Sequence, residues 1–303
     1  MAQIALLFAG QGAQQPGMGQ DFYEQSPAAR AVFETADRLR PGTSAQCFTG
    51  TKEELAVTAN TQPCVFAVDL AIAEALRENG IQAAAVAGFS LGELAALTYA
   101  GAFSREQGFH LVQQRADLMQ SAAEANPGKM AAVLKLSVET VETICREVGV
   151  YPVNYNCPGQ IAVAGAAGKM DELVSRVKAE KGRAVLLPVG GGFHSPFMKE
   201  ASEAFLPCIQ QAGMTKPGIP VYANKTAQPY SEETDMPQLL AQQMQSPVQW
   251  QKTVEHMMES GIDTMIEVGP GKTLFGFVQR LNPEFRVYHC DTVDNMKQIL
   301  ESM

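Results

Sequence analysis

The chain has 303 residues and a formal net charge of −9. That length suggests about two domains, or one large domain with an insertion, and 46% hydrophobic residues with only 18% charged residues exclude a disordered chain. An acidic chain is also a poor general binder of nucleic acid, because phosphates are neutralised by clustered Lys and Arg. The six cysteines form no C-x-x-C pair, and the four histidines lie far apart at 110, 194, 256 and 289, so no metal site is expected. Reduced, packed thiols of a cytoplasmic protein are the expected state. The N-terminal apolar run lacks a basic leader segment and ends at Gly10, which reads as a buried strand and not a signal peptide. No run approaches the ~18 apolar residues of a membrane span.

In chain order, Ile4 to Ala9 is apolar throughout, as expected of a strand covered on both faces. Helical patterns follow at 28–39 and 64–79. A second apolar run, Ala83 to Gly88, leads into Phe89-Ser90-Leu91-Gly92, and helices are expected at 91–100 and 104–124. Alternating apolar strands and helices predict a parallel α/β sheet. The middle differs: a strand at Lys129–Leu136, a helix at Ser137–Val148, a hairpin of Val153–Asn156 with Gln160–Gly165, a helix at Lys169–Lys181 and a strand at Arg183–Val189. That βαββαβ order is ferredoxin-like and predicts a small inserted domain over 127–190. The α/β pattern then resumes with helix at 195–212, a strand at Val221–Tyr222, helix at 236–259 and a strand at Thr264–Val268.

Gly88-Phe89-Ser90-Leu91-Gly92 fits G-x-S-x-G. A serine at a tight strand-to-helix turn exposes its hydroxyl, and flanking glycines give the backbones room. The other reading of the same residues is a glycine-rich βα turn without chemistry. A nucleophilic serine needs a base. His110 and His256 read as helix positions and His289 as part of a strand. His194 lies between Gly190-Gly191-Gly192 and Ser195-Pro196, a loop of the kind that carries chemistry, so it is the candidate base.

These residues resemble the malonyl-CoA:acyl carrier protein transacylases and the related acyltransferase domains of polyketide synthases. Seven motifs in family order carry the resemblance: Phe8 to Gln14, Gln62-Pro63, Gly88 to Glu93 with Gln114-Arg115, Asn154 to Gln160, Gly192 to Ser195, Ser246 to Trp250, and Glu267 to Lys272. It implies a large α/β-hydrolase-like domain with a parallel sheet and a nucleophile elbow (1–126 and 191–303), plus the small ferredoxin-like domain (127–190). It implies a Ser90–His194 dyad that takes malonyl from malonyl-CoA, releases CoA, and passes the acyl group to the phosphopantetheine thiol of acyl carrier protein. By the same resemblance the oxyanion hole falls on the backbone N–H groups of Gln11 and Leu91. His194 is oriented by the backbone carbonyl of Gln249, Arg115 holds the malonyl carboxylate, and Asn156 and Phe193 line the substrate pocket. No bound cofactor is implied, and the default is a monomer acting in fatty acid synthesis. Two departures stand out: Phe89, where many relatives have His or Leu, predicts altered packing with intact chemistry, and the three glycines before His194 predict a looser loop.

Two motifs are decoys. Gly269-Pro270-Gly271-Lys272-Thr273 resembles the end of a P-loop, but the required first glycine position is Ile266, and Pro270 removes one N–H from any phosphate cradle. Gly10-Gln11-Gly12 is not a dinucleotide fingerprint, because position 15 is Gln. The competing functions are a trans-acting polyketide acyltransferase, an α/β serine acyl hydrolase or thioesterase, and a catalytically silent carrier-protein docking subunit. Charge adds one more expectation. Residues 127–190 hold eight Lys and Arg against six Asp and Glu, a net of +2, which leaves −11 for the rest. Lys178, Lys181 and Arg183 are therefore candidates for docking an acidic carrier protein.

Overall fold

Strand β1 shows why the core forms where it does: all five of its residues are buried, and their side chains divide between two faces. Leu6 and Phe8 join Phe66 and Leu70 of the helix Thr58–Glu78 on one side, while Ala5 and Leu7 join Trp250, Val254 and Phe277 on the other. Burying each large side chain of this kind contributes roughly 1.5–3 kcal/mol. The structure, a computed structural model, describes residues 2–303. The strands are β1 (Ile4–Phe8), β2 (Ala85–Gly88), β3 (Gly128–Leu134), β4 (Tyr151–Cys157), β5 (Gln160–Ala166), β6 (Arg183–Leu186), β7 (Val221–Tyr222), β8 (Thr264–Val268) and β9 (Arg286–Cys290). They form a parallel sheet in the order β7-β2-β1-β8-β9 and an antiparallel sheet in the order β4-β5-β3-β6.

The α/β architecture with a separate small antiparallel sheet is the one expected. Ala131 and Val133 of β3 face the helices Val138–Val148 and Met170–Ala179 in a core of their own, whereas Met130, Ala162 and Ala164 on the opposite face join the main core. The small sheet is thus cemented to the large one by apolar side chains. Ser137 caps its helix as expected, its side chain accepting from the Thr140 N–H at 3.2 Å.

Several boundaries differ from expectation. The segment 236–259 is two helices, Met236–Gln243 and Trp250–Glu259. Pro247 lacks an N–H and disfavours helix at Ser246, and the freed backbone pairs with β4: the Val248 N–H donates to the Val153 carbonyl (2.8 Å) and the Tyr155 N–H to the Val248 carbonyl (2.9 Å). The long helix begins at Thr58, with Pro63 inside it. Strand β6 ends at Leu186, three residues early, as Pro188 turns the chain away.

The topology positions a site. Phe8 is in register with both Gly88 and Val268, so the turns after β1, β2 and β8 leave the same carboxyl edge of the parallel sheet. Ligands bind at such an edge in open α/β folds.

Candidate active site

β2 ends at Gly88 and a helix starts at Gly92, leaving Ser90 at the apex with φ 55°. That left-handed conformation costs a non-glycine residue on the order of 1–3 kcal/mol. Close approach explains both flanking glycines. A Cβ on Gly88 would lie 1.9 Å from the Gly92 carbonyl, and one on Gly92 would lie 2.4 Å from the Phe8 carbonyl oxygen. The buried Asn224 clamps the turn. Its Oδ1 accepts the Ser90 N–H at 2.7 Å and its Nδ2 donates to the Gly88 carbonyl at 2.6 Å.

His194, buried and at φ 60°, places Nε2 2.7 Å from Ser90 Oγ. Its Nδ1 lies 2.9 Å from the carbonyl oxygen of Gln243. A carbonyl can only accept, so Nδ1 carries the proton and Nε2 is free to take one from the serine. Burial first, and then Arg115, push the imidazole down to about 4, against the raising pull of the Gln243 and Ser246 carbonyls. His194 is neutral at neutral pH.

The orienting carbonyl is therefore that of Gln243 and not that of Gln249. The reason lies in the split helix. The residue four positions after Gln243 is Pro247, which has no N–H to offer, so the Gln243 carbonyl keeps a lone pair for His194. The Gln249 carbonyl instead opens the next helix, accepting from the N–H (2.9 Å) and hydroxyl (3.1 Å) of Thr253.

Arg115, on the helix Arg105–Ala125, is only 1% exposed. Its Nη1 donates to Gln62 Oε1 (2.8 Å), and its Nη2 donates to Gln243 Oε1 (2.9 Å) and Ser90 Oγ (3.1 Å). Burial lowers it to about 10, opposed by Glu93, which leaves a cation at neutral pH. The Gln243 side chain also donates through Nε2 to the Ser90 carbonyl (2.7 Å) and to Glu93 Oε2 (2.9 Å). One glutamine thus touches Ser90, His194 and Arg115.

A cavity of about 90 Å³ opens at Ser90, lined among others by Gln11, Met119, Phe193 and His194. It shares Gln11, Phe89, Asn154, Leu187 and Val189 with a larger cleft of about 330 Å³ that also takes in Asn156. The cleft runs between the two sheets. Leu91 is buried directly after Ser90, and neither its N–H nor that of Gln11 has a hydrogen-bond partner among the described residues. Asn154 and Asn156 are buried with Oδ1 unpartnered. Phe89 packs edge-on against Trp250 (5.4 Å between ring centres) and beside Phe277 (6.3 Å). Gly191 permits close packing, since a Cβ there would lie 2.8 Å from the Phe193 ring and 2.9 Å from Ala123 Cβ. Lys178, Lys181 and Arg183 are exposed and line neither cavity.

Among the described residues, no group of three or more His, Cys, Asp or Glu could hold a metal ion, and no helix is long and apolar enough to cross a membrane. Sequence reasoning missed Asn224, Gln243, Glu93 and Tyr230. Only Glu93 left a trace, as a lone charge in the apolar run Leu91 to Leu97.

Comparison with known proteins agrees with this fold. A family model described as an acyl transferase domain matches residues 5–297. The malonyl CoA-acyl carrier protein transacylase of Bacillus subtilis (strain 168) is 36% identical over 311 residues, covering 100% of this chain and 98% of its own. The crystal structure of malonyl CoA-acyl carrier protein transacylase from Clostridium perfringens superposes with a TM-score of 0.96 at 33% identity, covering 99% of this chain and 97% of that one. A type II PKS acyl-carrier protein in complex with its malonyl-transacylase gives 0.96 at 30% identity, covering 100% of both chains.

Proposed function

The chain belongs to the acyl transferase family, and from that premise we propose that it moves malonyl from malonyl-CoA to the phosphopantetheine thiol of acyl carrier protein, for fatty acid synthesis. The observation that carries this reading is a buried guanidinium 3.1 Å from the hydroxyl of a Ser–His pair. A hydrolase of simple esters has no use for a cation there, and it usually orients its histidine with a carboxylate. A malonyl group carries a carboxylate that the planar Arg115 fork can bind in two parallel hydrogen bonds, in a site drier than bulk water.

The reaction follows from the geometry. Ser90 Oγ attacks the thioester carbonyl while His194 Nε2 takes its proton. The N–H groups of Gln11 and Leu91 receive the oxyanion, a contact worth on the order of 10²–10³ in rate for each donor. The tetrahedral intermediate collapses, CoA leaves with the proton from His194, and malonyl remains as a Ser90 ester. The carrier thiol then attacks the ester through the same base, and Ser90 is restored. Serine and histidine supply the whole of this chemistry, so no bound cofactor enters it.

Asn154 and Asn156 line the cleft, each with a buried, unpaired carbonyl oxygen, and we assign them to the amide N–H groups of the pantetheine arm that CoA and carrier protein share. Phe193 lines the acyl cavity. The exposed Lys178, Lys181 and Arg183 are the proposed steering charges for an acidic carrier. All catalytic groups come from one chain, which fits a monomer of two units (1–126 with 191–303, and 127–190), and six free cysteines fit a reducing cytoplasm.

The test is a competition. Purified enzyme given malonyl-CoA and holo-acyl carrier protein forms malonyl-carrier faster than free malonate, and the reverse order overturns the transferase reading. Faster transfer to polyketide carriers than to fatty-acid carriers would overturn the pathway assignment alone.

A further inference from the structure

Glu93 is a buried carboxyl group that the transfer chemistry does not use. It is fully buried on the helix Gly92–Tyr99, one turn below the nucleophile. Oε1 accepts from the Tyr230 hydroxyl, and Oε2 accepts from the Asn224 N–H (3.1 Å) and from Gln243 Nε2 (2.9 Å). The other end of the Gln243 carboxamide accepts from Arg115 Nη2 at 2.9 Å. Glu93 and Arg115 thus stand at opposite ends of one side-chain amide, with no water-exposed atom needed between them.

The charges in this dry volume can be counted. Above about pH 7 and before an acyl group docks, the Arg115 cation is balanced by the Glu93 carboxylate. A malonyl carboxylate docking on Arg115 brings a second anion to a single buried cation. Two carboxylates sharing such a site cannot both remain ionised cheaply, and one is driven to its acid form. The malonyl carboxylate holds the guanidinium directly. Glu93 does not, and its partner Tyr230 can reverse its bond, because a phenolic oxygen can accept as well as donate.

We propose that Glu93 takes up one proton from solvent when a carboxylate-bearing acyl group docks on Arg115, so that binding of malonyl-CoA is proton-linked and binding of acetyl-CoA is not. The proposal rests on the assignment of Arg115 to the malonyl carboxylate. The balance is a carboxylate plus a solvent proton giving a carboxylic acid, with no electron transfer and with the net charge of the site unchanged. Burial already raises Glu93 to about 7, against the lowering bonds from Tyr230, Gln243 and Asn224 and the field of Arg115. The ionisable groups acting on Glu93 are thus Tyr230 and Arg115. His194 also feels Arg115 and is the competing destination for the proton. Malonyl-CoA affinity is accordingly expected to fall as pH rises above about 7.

Calorimetric titration of Ser90→Ala with malonyl-CoA, at about pH 8 in two buffers of different ionisation enthalpy, reads the proton count directly. The expected result is uptake approaching one proton per site with malonyl-CoA and none with acetyl-CoA. Adding Glu93→Gln abolishes the uptake while malonyl-CoA still binds. Adding Tyr230→Phe removes a bond that holds Glu93 down, so the uptake window moves to higher pH without Glu93 being altered. Malonyl-CoA binding without uptake overturns the proposal, as does uptake that survives Glu93→Gln, which places the proton on His194. Unchanged malonyl-CoA affinity on adding Arg115→Ala overturns the Arg115 assignment together with this proposal. Failed uptake with Arg115-dependent binding intact overturns this proposal alone.

Discussion

The two walls of the cleft differ in one respect that matters for function. On the large-sheet side, the side-chain amides around Ser90 are matched with partners: Asn224 uses both ends of its amide on the elbow, and Gln243 spans Ser90, Glu93 and Arg115. On the small-sheet side, Asn154 and Asn156 are buried with a carbonyl oxygen idle. Buried polar groups are ordinarily paired, and leaving one unpaired costs about 1–3 kcal/mol. The contrast assigns chemistry to the preorganised side and recognition to the side that waits for a ligand.

That division can be broken by substitution, and the largest effects belong on the paired side. His194→Ala should slow acylation by about 10³-fold or more, because the serine loses the base in hydrogen-bond contact with it. Rapid-quench measurement of ester formation checks this, and a loss under tenfold would remove His194 from the mechanism. Arg115→Ala should cost malonyl transfer about 2–4 kcal/mol in kcat/KM and relatively favour acetyl-CoA. An unchanged preference would show that the guanidinium does not read the carboxylate.

Smaller effects belong to the waiting side. Asn154→Ala and Asn156→Ala should each raise KM for malonyl-CoA by about 3–10-fold with little change in kcat, since each removes a neutral hydrogen bond to the bound arm. Neither should lower thermal stability, because the lost carbonyl oxygen was already unpaired in the free protein. A fall in kcat with unchanged KM would move these residues into the chemistry and dissolve the distinction. Smallest is the expected effect of Lys181→Glu with Arg183→Glu, a severalfold weaker carrier affinity that fades as salt is raised. Unaltered affinity at low salt would remove these charges from docking.

The pH profile probes the paired side again. His194 must be neutral to accept the serine proton, and its imidazole is held down to about 4 by burial and Arg115. Acylation should therefore be level from pH 6 down to about 5 and then fall as pH drops through about 4. The sign follows from the protonated form being the inactive one. A limb near the ordinary histidine value of about 6.5 would mean that His194 is less buried than the structure shows.

Ser90, His194 and Arg115 were legible in sequence because each sits in a local signal: a glycine-spaced elbow, a glycine-proline loop, and an arginine in an apolar helix that matches a family motif. Asn224, Gln243 and Tyr230 carry no such signal. Their partners lie 134 residues away for Asn224 and Ser90, 153 for Gln243 and Ser90, and 137 for Tyr230 and Glu93, and nothing local distinguishes them from solvated polar residues. Gln249 rests on the family resemblance alone, and the structure replaces it with Gln243. The helical pattern of 236–259 runs through Ser246-Pro247, and only the break at that proline shows which carbonyl is left for the histidine. The fold was easier to read, because apolar runs and glycine turns report strand and helix directly, whereas the pairing of the small-sheet face with the main core is a tertiary fact.

The most direct test of the account is to mix the enzyme with malonyl-CoA alone and locate the adduct by peptide mass spectrometry. The account predicts a malonyl ester on Ser90, absent in Ser90→Ala and discharged on addition of holo-acyl carrier protein. A malonyl adduct on any other residue, or carrier malonylation by Ser90→Ala at the wild-type rate, would contradict it.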